Sequence, residues 1–274
     1  MFKTLPSKPS FCIIAPTAYL ENYASQSRTH LALAHLIDKD PVYANFYLKM
    51  SKRGDFIICD NGAFELGRSY APEKLIDLAN KIEASCIVLP DYPFEHSQKT
   101  IDAAHEWADL IHNNGFRTMF VPQSKKGDME DWIKAYRWAA GTHLVDMIGM
   151  SILGIPNALP HIPAAYARVV MTQILIDRGI FNFNKYHHYL GLNAGPGLEI
   201  PPLLKMKTLN SCDSSNPVWM AILGHEYTYN ADSFLYVSKP KAHVQFDYPY
   251  VSDEATQKRI HHNVMMTLKI FEGE

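Results

Sequence analysis

The stretch Phe56-Ile57-Ile58-Cys59-Asp60-Asn61-Gly62-Ala63-Phe64-Glu65 runs from purely apolar to polar within one step. Its first four residues read as a strand buried on both faces, as in a parallel sheet. Asp60-Asn61-Gly62 then reads as a turn, because Asn and Gly accept φ > 0. The same grammar recurs along the chain. Val88-Leu89 gives way to Pro90-Asp91, Phe120-Val121 to Pro122-Gln123, Ile148-Gly149-Met150 to Ser151, and Ser211-Cys212 to Asp213-Ser214-Ser215.

Working outward, strands are expected at 11–15, 56–59, 86–89, 118–121, 146–150, 189–192, 209–212 and 234–237. Helical periodicity fills the intervals. Over 71–84 one stripe carries Leu75, Ile76, Leu78, Ala79 and Ile82, and over 99–114 another carries Ile101, Ala104, Trp107, Ala108 and Ile111. Gly115 follows as a stop, and further helices are expected at 132–140, 164–176 and 255–271. Such alternation fits an α/β fold, either a (β/α)8 barrel of the TIM type or an open doubly wound sheet. Three aspartates and an amide at successive strand ends favour the barrel, whose βα loops converge on one cavity. A single domain over 1–274 is expected.

Composition narrows the classes further. Of 274 residues, 47% are hydrophobic and 20% charged, which excludes disorder, collagen and coiled coil. A net charge of −2 excludes a polycation that wraps nucleic acid by charge alone, so any nucleic-acid contact must be local. The four cysteines, Cys12, Cys59, Cys86 and Cys212, are far apart with no CxxC spacing, so neither zinc nor a disulfide framework is expected. MFKTLPSKPS lacks the apolar stretch of a signal peptide, and no run reaches membrane-span length. The expectation is a soluble, cytoplasmic protein without a membrane partner.

Each strand-end residue also has a plainer reading. Asp60-Asn61-Gly62 is good turn chemistry, Asp91 and Asp213 could cap helices, and Gln123 could be a loop amide. The pairs His187-His188 and His261-His262 lack HxH or HExxH spacing, so no metal is expected there. Gly191-Leu192-Asn193-Ala194-Gly195-Pro196-Gly197 follows no phosphate-loop spacing and reads as a tight βα turn.

The segment from Ile57 to Glu65 resembles the Asp-Ser-Gly-Gly-(Phe/Tyr)-Gln motif of the tRNA-guanine transglycosylases. In the family's order there follow Asp91, Gln123, a Gly-containing strand end at Gly149, a Tyr-Leu-type strand and Cys212-Asp213. The resemblance implies that Asp213 is a nucleophile toward C1′ of a guanosine and that Asp60 is the general acid/base. It implies that Asp91 reads the N1–H and 2-amino edge of guanine or a 7-deazaguanine, with Gln123 and the Gly149 backbone at O6. Phe64 would stack on the base, with Asn61 beside it and Leu192 standing nearest to the family's stacking methionine. The chemistry suits these residues. A carboxylate can trap an oxocarbenium-like sugar, a leaving base needs a proton, and clustered acids have their pKa values pushed apart.

The departures point away from tRNA. The family's zinc site of three cysteines and a histidine has no counterpart, and Asp213 is followed by Ser214-Ser215-Asn216-Pro217-Val218-Trp219 without an arginine. The chain is more similar to the zinc-free DNA-guanine transglycosylases that some bacteriophages encode. That similarity implies exchange of guanine in DNA for a free 7-deazaguanine base such as preQ0, with no cofactor and no metal, in a host cytoplasm. Lys125 and Lys126 are the leading phosphate contacts, with Lys52, Arg53, Lys205, Lys207, Lys239 and Lys241 as further candidates. The alternatives are a compact tRNA-guanine transglycosylase, a non-catalytic nucleic-acid-binding partner subunit, and a nucleoside hydrolase.

Overall fold

In the computed structural model, which describes residues 2–192, 195–228 and 243–272, eight parallel strands form one sheet. They are β1 (Ser10–Ile13), β2 (Thr29–Ala32), β3 (Phe56–Cys59), β4 (Cys86–Val88), β5 (Arg117–Phe120), β6 (Met147–Ser151), β7 (Tyr186–Leu190) and β8 (Ser211–Ser214). The helices are α1 (Ala34–Lys39), α2 (Pro41–Lys52), α3 (Ala63–Leu66), α4 (Pro72–Lys81), α5 (Ser97–Asn113), α6 (Met129–Gly141), α7 (Gly154–Ala158), α8 (Ala164–Asp177), α9 (Pro196–Lys205), α10 (Asn216–Ile222) and α11 (Glu254–Glu272).

The ladder runs β2-β3-β4-β5-β6-β7-β8-β1. Its two edge strands face each other, and Ser10 Oγ donates to Thr29 Oγ1 at 2.9 Å across the seam. The result is a nearly closed (β/α)8 barrel, the expected fold. Helices cover the strands outside, so β3, β4 and β8 are buried along their whole length. On α4 the stripe Leu75, Ile76, Leu78 and Ala79 is buried against the sheet as its spacing requires.

The strand count came out by a different route from the expected one. β2 was not anticipated, and the strand expected at 234–237 lies outside the described residues. Thr29-His30-Leu31-Ala32 is short and half polar, and two 3-10 turns (Thr17–Tyr19, Ala24–Gln26) precede it where the repeat leads one to expect a helix. Its polar members are nonetheless buried, Thr29 on Ser10 and His30 on Asp55. Asp60, Asp91, Gln123 and Gly149 therefore belong to the third to sixth strands, and Asp213 to the eighth.

At the N-terminal ends of the strands, two acid-centred networks tie the barrel together. Buried Asp55 accepts from His30 Nε2 at 2.9 Å, Arg28 Nη1 at 3.0 Å and Arg53. Asp146 accepts from His112 Nε2 at 2.9 Å, Arg117 Nη1 at 3.0 Å and the Thr118 N–H at 2.9 Å. Charges at that face serve stability; chemistry in this architecture gathers at the opposite one.

Candidate active site

After β3 the chain turns sharply into the one-turn α3. Gly62 has φ +80°, and a Cβ there would sit 3.2 Å from the Tyr70 ring, so any other residue would be strained. Asp60 Oδ2 accepts the Gly62 N–H at 2.9 Å, and Asn61 Oδ1 accepts that of Ala63 at 2.9 Å. Asp60-Asn61-Gly62 is thus a turn, and the turn chemistry fixes where the carboxylate stands.

Asp91 does not cap a helix. It is buried, and its carboxylate takes two amide donors, Asn61 Nδ2 at 2.8 Å on Oδ1 and Gln123 Nε2 at 2.6 Å on Oδ2. Asn61 Nδ2 also reaches the Leu89 carbonyl at 2.8 Å, which locks its own orientation. Three successive strand ends are joined in this way. Gln123 Oε1 is left buried without a partner, packed near Gly154. Leaving such an acceptor unsatisfied costs about 1–3 kcal/mol, which a donor-bearing ligand would relieve.

Asp213 lies within β8 and is no helix cap either. Its Oδ1 accepts from His188 Nε2 at 3.0 Å and from the Gly191 N–H at 3.0 Å. On the other side of the ring, His188 Nδ1 lies 2.6 Å from Ser211 Oγ. A carboxylate only accepts, so Nε2 carries a proton, and in the neutral ring the Ser211 hydroxyl donates to Nδ1. Register pairs His188 with both Gly149 and Ser211, and Asp213 is two residues on, so all four face the same side of the sheet.

The acids feel one another. Burial pushes the Asp60 carboxyl up to about 6; the charges of Asp91 and Asp213 add to this, and the Gly62 N–H opposes it. Burial also pushes Asp91 up to about 6, against the pull of its Asn61 and Gln123 hydrogen bonds. Glu65 is exposed on the rim. Crowding by the protein wall, then the charges of Asp60 and Asp213, push its carboxyl upward, and solvent tempers that push.

No model of a known protein family matches this chain, and no curated protein matches it.

The other expected residues separate into two groups. Phe64 is 63% exposed on α3, as Leu66 is exposed there, and Tyr92, Phe94 and Leu153 are exposed on neighbouring βα loops. Lys125 and Lys126 are exposed directly after Gln123-Ser124, on the same end of the barrel. Gly149, by contrast, is buried within β6, and a Cβ there would meet Val121 Cγ2 at 2.9 Å and Leu190 Cδ1 at 3.0 Å. Leu192 is buried as well. Lys52, Arg53, Lys205 and Lys207 fall at the ends of α2 and α9, the opposite face of the barrel, and Arg53 is spent on Asp55. Asn193, Ala194, Lys239 and Lys241 lie outside the described residues.

The four cysteines are free and buried in or beside strands. Among the described residues, His96, Asp128 and Asp131 are close enough to hold a cation, with ligand atoms within 4.8 Å of one another. Asp131 is already used by the Ser97 N–H (2.8 Å) and hydroxyl (2.6 Å), and Asp128 caps α6 through the Asp131 N–H. That trio reads as helix capping. A groove of about 650 Å³ on the outer wall, between Tyr23 and Gln26 and the α11 residues His261 and Met265, contains none of the three aspartates.

His188 is the residue that sequence reasoning passed over. Alternation along a strand shows that His187 and His188 face opposite ways, but only the register shows which faces the site. His187 lies outside it, 2.8 Å from the Tyr136 hydroxyl, where burial holds its imidazole down to about 3. Among the described residues, no helix is long and apolar enough to cross a membrane.

Proposed function

We propose that this protein exchanges guanine in DNA for a free 7-deazaguanine base such as preQ0, through a covalent aspartyl-sugar intermediate. The observation that carries the reading is the convergence of Asp60, Asp91 and Asp213. They come from three different strand ends, and Asp60 lies within electrostatic reach of the other two. In the proposed reaction an Asp213 oxygen bonds C1′ as the C1′–N9 bond breaks, and Asp60 gives its proton to the departing guanine. The incoming base then loses its N9 proton to Asp60. N9 bonds C1′, and the Asp213–C1′ bond breaks. A carboxyl raised to about 6 is suited to both proton transfers, which contribute roughly 10²–10⁴-fold.

Asp91 is assigned to the N–H edge of the base and Phe64 to its face. O6 calls for a donor, whereas the unpartnered end of Gln123 is its carbonyl oxygen. The reading therefore requires the Gln123 amide to leave Asp91 and turn its NH2 toward O6. DNA is favoured over tRNA because the segment after Asp213 carries no arginine, and its residues Asn216 to Ala221 are packed into buried α10. The exposed aromatic residues of the rim and Lys125-Lys126 suit an unstacked base and its flanking phosphates.

The test is base exchange with radiolabelled guanine or preQ0 on duplex DNA, single-stranded DNA and tRNA. Counts entering DNA alone support the proposal. Counts entering tRNA select the compact tRNA enzyme, guanine release without incorporation selects a hydrolase, and no reaction on any substrate selects a non-catalytic binding subunit.

A further inference from the structure

Arg168 projects from α8 and is fully buried, a position at which an unpaired cation is prohibitively expensive. All five of its N–H groups have acceptors. Nε and Nη2 bond the two oxygens of Glu199, Nη1 reaches the Met150 carbonyl at 3.2 Å and the Leu190 carbonyl at 2.9 Å, and Nη2 reaches the Gly191 carbonyl at 2.6 Å. A buried ion pair is weak support for stability, since apolar residues of equal volume usually do as well. Three of these five bonds instead hold the ends of β6 and β7.

The Leu190 carbonyl and the Gly191 N–H are the two ends of one peptide group. Arg168 binds the first, and the second donates to Asp213 Oδ1 at 3.0 Å. Gly191 has φ +71°, and a Cβ there would lie 3.1 Å from Ile152 Cδ1, so this sharp turn of the chain depends on glycine. A cation on a carbonyl oxygen draws charge from the amide and makes its N–H a stronger donor.

We propose that Arg168 is a positioning residue that acts on Asp213 through the Leu190–Gly191 peptide, fixing the carboxylate and strengthening the hydrogen bond it receives. Its effect on rate rests on the base-exchange reading; its effect on the Gly191 amide does not. Glu199 holds the guanidinium in place, and His188 supplies the second donor to the same oxygen.

The experiment is NMR of the Gly191 amide proton in the wild type, in Arg168→Lys and in the double variant Arg168→Met/Glu199→Leu, which removes both buried charges together. The Gly191 resonance should move upfield in the double variant and partly return in Arg168→Lys. The rate of sugar-adduct formation should fall about 10-fold with KM unchanged, in line with loss of a charge-assisted hydrogen bond. An unmoved Gly191 resonance in either folded variant overturns the proposal. A moved resonance without any exchange activity keeps it and overturns only the reaction. Should neither variant fold, the Arg168 side-chain nitrogens are compared between wild type and Asp213→Asn. A response there supports the link through the peptide, and its absence overturns it.

Discussion

His188 Nε2 lies 3.0 Å from Asp213 Oδ1, and the far side of its ring rests 2.6 Å from the Ser211 hydroxyl. The carboxylate assigned as nucleophile is therefore aimed by a side chain two register positions deeper in the barrel. Serine, histidine and aspartate occur together here, but the histidine orients the acid and has no nucleophilic hydroxyl to activate above it.

Replacing His188 by Ala removes a hydrogen bond to a charged group, worth about 1.5–3 kcal/mol. Single-turnover adduct formation should slow by about 10- to 150-fold. His188→Gln, which can still donate to Asp213, should recover part of that loss.

In the proposed reaction Asp60 sets a pH limb. It would have to be protonated to release the base, so adduct formation should decline as pH rises through about 6. The charge of Asp91 contributes to that raised value, so Asp91→Asn should move the limb to lower pH. A rapid-quench pH series on the two proteins checks both statements.

The same shift has a consequence for stability. The folded-state pKa of Asp60 lies above its unfolded value, so its contribution is fully present below about pH 4 and is lost as pH rises through about 6. Asp60→Asn should accordingly raise Tm at pH 8, by at least about 2 °C, and gain less at pH 4. Thermal melts at the two pH values measure this. Greater stability together with lost exchange would mark a residue retained for chemistry.

Asp55 behaves in the opposite sense. Burial alone would raise its carboxyl, but hydrogen bonds from His30, Arg53 and Arg28 hold it well below the usual carboxylate range. Its contribution is present above about pH 4 and lost as pH falls further. Asp55→Asn should cost about 1.5–3 kcal/mol at pH 7 by denaturant titration, and the difference from wild type should shrink in acid.

Phe64 is exposed, so Phe64→Ala should leave Tm nearly unchanged. Loss of one stacked base is worth about 1–3 kcal/mol, so KM for a single-stranded substrate should rise by about 5- to 150-fold.

The barrel was legible because β3, β4 and β6 carry apolar runs that end in polar turns, and because helices such as α4 and α5 show a single apolar stripe. β2 was not legible, since its burial depends on hydrogen bonds to Ser10 and Asp55 that a four-residue pattern does not reveal. Asp60, Asp91 and Gln123 could be read from their places after strands, and Asp213 from its place near the end of one. The linkage among them could not: His188 as the partner of Asp213 follows from strand register, while Asn61 as the clamp on Asp91 and Arg168 of α8 behind Gly191 follow from tertiary packing. Gly149 shares the face of the sheet that carries His188 and Asp213, and its buried place close to Val121 and Leu190, two residues before the end of β6, could not be read from the sequence.

The most direct measurement is the intact mass of the protein, quenched and denatured during turnover with guanine-containing DNA, with the modified residue mapped by peptide sequencing. A DNA-sugar adduct is expected on Asp213 that is absent from Asp213→Asn and disappears when excess preQ0 is added. An adduct on another residue, or guanine loss from DNA with no adduct in a protein that turns over, would contradict the proposed reaction.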